Sequence, residues 1–124
     1  MPLIRTADAV VYELHGTTFN SYASTASGSA ELRVWRADFS PESEGVAHRI
    51  AKEEVFVVVE GALLVTIDDE VHSSSAGDVV IAPAGSILRV DNPGAVGASA
   101  WVSTTAGFSA TLPDGSLISP PWAN

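Results

Sequence analysis

Short apolar runs alternate along the chain with turn-forming residues, and Gly or Pro returns every eight to twelve residues. An amphipathic helix would need apolar residues recurring at a period of about 3.6, and no window sustains that period. The runs are rich in Val, Ile, Thr and aromatic residues, which suit a pleated, half-buried surface. The pattern predicts strands at 10–14 (VVYEL), 30–39 (AELRVWRADF), 54–59 (EVFVVV), 62–67 (ALLVTI), 70–74 (EVHSS), 78–82 (DVVIA), 86–90 (SILRV) and 98–104 (ASAWVST). Residues 19–29 (FNSYASTASGS) are small and polar and read as a loop or weak edge. The tail, 112–124 (LPDGSLISPPWAN), reads as an extended segment held by Leu117, Ile118 and Trp122.

This rhythm predicts an all-β sandwich or barrel. Asp68-Asp69 fits a tight turn between two strands, although Gly at the second position would suit a hairpin better. The run VFVVV is apolar on both faces, so both faces should be covered. One can meet the interior; the other needs a second sheet or a partner subunit, and a homodimer is expected.

At 124 residues the chain predicts one domain, without internal repeats. There are no cysteines, which removes disulfides and thiolate metal sites. The first residues lack a signal-peptide pattern, and the longest apolar stretch, 55–67, is too short to span a bilayer. A cytoplasmic protein without a membrane partner is the expectation. Six basic residues stand against fifteen acidic ones, a net charge of −9. Such a chain repels phosphate backbones, so nucleic acid is not an expected partner.

Two spaced motifs sharpen the picture. In the first, His48 is followed by Glu54 and then by Gly61, seven residues after the glutamate. In the second, Gly77, Pro83, Gly85 and Asn92 are spaced by six, two and seven residues. Together they resemble the cupin superfamily over roughly residues 30–105. The resemblance implies a double-stranded β-helix, or jelly-roll barrel, as a single domain over 1–124, with an N-terminal strand arm (1–29) and an extended C-terminal tail (106–124). It also implies a metal held by both motifs. Here Ile50 stands where the first motif has its second His, and Leu88 where the second motif has its His. Gly45 lies close to the family's leading glycine, at a shorter spacing. The Pro-Pro-Trp ending is similar to that of a group of small cupin-domain proteins.

Strand alternation puts Glu54, Phe56 and Val58 on one face. If the family's geometry holds, His48, Ile50, Glu54, Phe56 and Leu88 line a mostly apolar pocket, with His72 a further candidate by its parity with Ser74. The primary expectation is a small-molecule-binding barrel with a degenerate metal site and no tightly held cofactor. His48 and Glu54, with His72 as a third candidate, form a candidate site for a weakly bound Zn, Mn, Fe or Ni. His48 and Glu54 are also the candidate catalytic pair of an acid–base isomerase, cyclase or lyase, or of a metal-dependent dioxygenase. A non-catalytic structural or regulatory role is the remaining alternative. Trp35 and Trp101 are expected in the core or an interface, Trp122 as an anchor for the tail, in its own or a partner subunit, and His15 in an exposed turn.

Overall fold

The computed structural model describes residues 2–124. Twelve strands run in chain order: β1 (Val10–Leu14), β2 (Thr17–Ala23), β3 (Leu32–Phe39), β4 (His48–Ile50), β5 (Glu54–Glu60), β6 (Ala62–Ile67), β7 (Glu70–Ser75), β8 (Val79–Ala82), β9 (Ile87–Asp91), β10 (Ala98–Thr105), β11 (Ala110–Thr111) and β12 (Leu117–Ile118). They form two six-stranded sheets, ordered β1-β2-β3-β10-β5-β8 and β12-β11-β4-β9-β6-β7. Every strand pairing is antiparallel. Two short 3₁₀ turns, Thr6–Asp8 and Pro121–Ala123, are the described helical segments. No described helix is long and apolar enough to cross a membrane.

Alternation explains the core. On β3, Trp35, Ala37 and Phe39 are buried while the residues between them are not. Phe56 and Val58 of β5 and Val102 of β10 join them, and Ile50, Leu63, Val65 and Leu88 supply the facing sheet. Each buried aliphatic or aromatic side chain contributes ~1.5–3 kcal/mol through removal from water.

The predicted strands all form, within two residues at their ends. The 19–29 expectation needs correction, because residues 17–23 are a strand inserted between β1 and β3. Thr17, Thr18, Phe19 and Tyr22 favour a strand, while Asn20, Ser21 and Ala23 do not. Pairing along both edges overrides that, and Phe19 packs against the core. The following turn is held by Arg33, whose Nη1 donates to the Ser29 and Leu32 carbonyls and whose Nη2 donates to Thr25 Oγ1. Leu117 was expected to anchor the tail but is 69% exposed. With only a two-residue pairing of β12 to β11, alternation turns Leu117 outward and Ile118 inward.

The motif residues have structural reasons. Gly61 ends β5 at φ +69, and a Cβ there would stand 2.6 Å from the Gly97 carbonyl oxygen. A Cβ on Gly45 would run into the Val90 carbonyl. Asn92 is 1% exposed, and its Nδ2 donates toward the carbonyls of Phe39, Ser40 and Val96, while Oδ1 accepts from Gly94 N. It ties the β9–β10 connection to the end of β3.

Candidate functional site

A cavity of about 360 Å³ opens between the two sheets. Its floor includes Trp35, Ala37 and Phe39 of β3, Phe56 of β5 and Val102 of β10. Leu88 and Val90 of β9 and Phe108 and Ala110 close the opposite side. The rim comes from three separate segments: Leu14 and His15 at the β1–β2 turn, Glu44 to Val46 before β4, and Ile118, Pro120 and Trp122 of the tail. Phe19 and Trp122 stack with ring centroids 3.7 Å apart and planes 9° from parallel. The tail is fastened by Ser21 Oγ donating to the Trp122 carbonyl, Thr25 N to the Asn124 carbonyl, and Asn124 Nδ2 to the carbonyls of Phe108 and Pro120.

Glu54 begins β5, opposite Ala82 of β8, and alternation turns it inward with Phe56. It is 4% exposed. Burial in this apolar setting disfavours the carboxylate and pushes its pKa from 4.5 up to about 8. No hydrogen bond or neighbouring cation among the described residues offsets that burial. At neutral pH, Glu54 is therefore mostly a carboxylic acid, an O–H donor facing the cavity.

His48 sits on β4 across from Leu88 of β9 and is half-buried at the cavity wall. Its Nδ1 lies 2.8 Å from the Val46 carbonyl oxygen. A carbonyl only accepts, so Nδ1 is the donor in this contact and Nε2 is the ring nitrogen it leaves unused.

Of the residues expected from sequence, the structure brings His48, Glu54, Phe56 and Leu88 to one cavity. Ile50 is a correction: it is 0% exposed and packs in the core instead of lining the cavity. Beyond its three-residue strand, Ile50 is clamped by backbone bonds to Ser86 and Gly85, which hold it beneath the cavity wall. His72 is a second correction. It lies on β7, the outermost strand of its sheet, with its side chain 45% exposed and Nε2 3.6 Å from Glu70. Its neighbour two residues on, Ser74, is buried and donates to the Leu63 carbonyl, while His72, on an outermost strand, stays exposed.

These placements decide the fit of a metal. His48 and Glu54 stay together, His72 is elsewhere, and apolar side chains hold positions 50 and 88. No group of three or more His, Cys, Asp or Glu among the described residues is arranged to hold a metal ion. The donor set does not fit a resident divalent metal, whose catalytic sites use about three protein ligands.

Several cavity residues were not legible as such. Trp35 shares parity with Ala37 and Phe39, so its inward direction could have been read from β3. Trp122 and His15 carry no local signal, because their place depends on how the tail and the first hairpin fold over the barrel.

The cupin domain family model matches residues 35–104. Auxin-binding protein T85 of Nicotiana tabacum is 30% identical over 82 residues, which is 63% of this chain and 44% of that protein. The chain thus matches less than half the length of that relative. The polyketide cyclase RemF of Streptomyces resistomycificus superposes with a TM-score of 0.78 at 16% identity, covering 87% of this chain and 81% of that one. A sugar phosphate isomerase of Silicibacter pomeroyi gives a TM-score of 0.75 at 21% identity, covering 91% and 82%. At such identities the two structures share the fold.

Proposed function

The chain belongs to the cupin domain family, and from that premise we propose that it binds a small molecule in its apolar cavity, at a metal site that has degenerated. The observation that carries this reading is Glu54: a buried, largely neutral acid without a partner among the described residues, facing a cavity of ligand size. Such cavities, ~300–1,000 Å³ with a few convergent polar groups, are the usual form of small-ligand sites. The cysteine-free composition suits a cytoplasmic setting for this role.

A thermal-shift screen of carbonyl compounds, sugars and aromatic metabolites tests it. A ligand that prefers the folded state raises its stability, by about 2.7 kcal/mol at a hundred times Kd. At least one compound should raise the Tm of the wild type by several degrees and fail to raise that of Glu54→Leu. Equal shifts in both proteins, or none in either, would sink the proposal.

An acid–base enzyme is the second reading, favoured by one feature: a largely protonated Glu54 and the imidazole of His48 line the same cavity. Glu54 can donate toward a carbonyl oxygen while His48 accepts a proton from carbon or oxygen, the requirement of an isomerase, cyclase or lyase. Turnover of a bound ligand that His48→Gln abolishes without weakening binding would establish it; unchanged turnover in that variant would exclude it.

The proposal extends to a homodimer. Val57 and Val59 of β5 are each 36% exposed, and Val79 and Ile81 of β8 are 56% and 59% exposed on the same sheet. This strip bears no charge, so two copies of a chain carrying −9 can meet there with their carboxylates kept apart. Light scattering should give twice the chain mass at micromolar concentration and a monomer for Val57→Glu/Ile81→Glu. A monomeric wild type would contradict it.

A further inference from the structure

We infer that the cavity selects a flat, neutral, mainly apolar molecule that presents a ketone or aldehyde oxygen to Glu54, and that it rejects carboxylates and phosphates of the same shape. This deepens the binding reading above and rests on it.

The charge inventory of the wall is the first argument. Four titratable side chains line the cavity: His15 from the β1–β2 turn, Glu44 from the segment before β4, His48 from β4 and Glu54 from β5. The other contributing segments face it with uncharged residues such as Trp35, Leu88, Val102, Phe108, Ile118 and Trp122. Among the described residues, no Arg or Lys lines it. An anionic group entering this space would lose its hydration, meet two carboxyl groups and find no permanent cation to pair with. A phosphate or carboxylate site is built the opposite way, around an Arg fork or a lysine.

Glu54 supplies the second argument. It is buried, and the protein gives its carboxyl group no partner among the described residues. A carboxylic acid that faces a cavity and has no protein acceptor is a donor that a ligand satisfies by bringing an acceptor to the right place. A carbonyl oxygen does this without bringing charge. The wall shape is the third argument. The Phe19–Trp122 slab and the rings of Trp35, Phe39, Phe56 and Phe108 border the space, beside aliphatic side chains such as Leu88 and Val102. Flat rings stack or pack edge-on against such surfaces better than puckered, hydroxyl-rich ones.

The probes are 2-acetylnaphthalene and 2-naphthoate, which share a fused ring and the same number of heavy atoms and differ in charge. Calorimetry on the full chain at pH 7 should show the ketone binding at least tenfold more tightly than the carboxylate. Glu54→Leu should weaken the ketone about tenfold and narrow the difference between the two probes. In the wild type the ketone's affinity should fall between pH 7 and pH 9.5, as Glu54 loses the proton it donates; Glu54→Gln should flatten that profile. Naphthoate binding as tightly as the ketone would overturn this inference and leave the binding reading standing. Binding of neither probe would overturn both. Ketone binding that ignores pH in the wild type, or that Glu54→Leu leaves unchanged, would remove Glu54 from recognition and overturn the inference.

Discussion

Replacing Glu54 with Gln should make the protein more stable, by an amount that grows with pH. The folded-state pKa of Glu54 is raised from 4.5 to about 8 by burial. Below pH 4.5 the side chain is protonated in folded and unfolded chains alike, and burial carries no ionisation cost. Between 4.5 and 8 the unfolded chain releases its proton while the folded one keeps it, so stability falls as pH rises. Above 8 both forms are ionised and the loss is complete. At about 1.4 kcal/mol per pH unit, the cost is on the order of 1 kcal/mol at pH 5, about 3 at pH 7 and ~5 at pH 9. The amide of Gln has nearly the same shape and never ionises. Urea unfolding of both proteins at pH 5, 7 and 9 isolates this one group, because every other titration is common to the pair. The stability difference should widen by about 4 kcal/mol from pH 5 to pH 9. A difference constant to within about 0.5 kcal/mol would refute the argument and mean that Glu54 finds water or a cation in the folded state.

Asn92→Ala should destabilise the fold by about 2–4 kcal/mol in urea unfolding, because it strands three carbonyls and the Gly94 N–H that Asn92 now serves. Loss of less than ~1 kcal/mol would show that water replaces it. Trp122→Ala should cost roughly 2–3 kcal/mol by the same assay and weaken ketone binding, since it removes the stacked partner of Phe19 and part of the rim. Leu88→His places an imidazole across the β4–β9 pair from His48, on the cavity that Glu54 also lines. It should bind zinc or nickel at least tenfold more tightly than the wild type by calorimetry, and equal affinities would show that the cavity has lost the metal geometry as well as the ligands.

The barrel was legible because its signals are local. Period-two alternation, β-branched residues and turn glycines placed the strands from 30 to 105, and alternation alone turned Glu54 and Phe56 inward. The glycine and proline spacing identified the family, and Ile50 and Leu88 stand where the resemblance places two of its histidines. Tertiary structure decided the rest. Residues 17–23 became a strand because two neighbours offered their edges. Ile50 went beneath the wall because the turn at Gly85 and Ser86 clamps it there. His72 went to solvent because β7 is an outermost strand, a position that depends on the order of strands and not on residue parity. The closure of the cavity by Trp122 and the β1–β2 turn brings together residues about a hundred positions apart. So does the solitude of Glu54: a sequence shows that a glutamate faces inward, but whether any cation or donor meets it there depends on every segment packed around it.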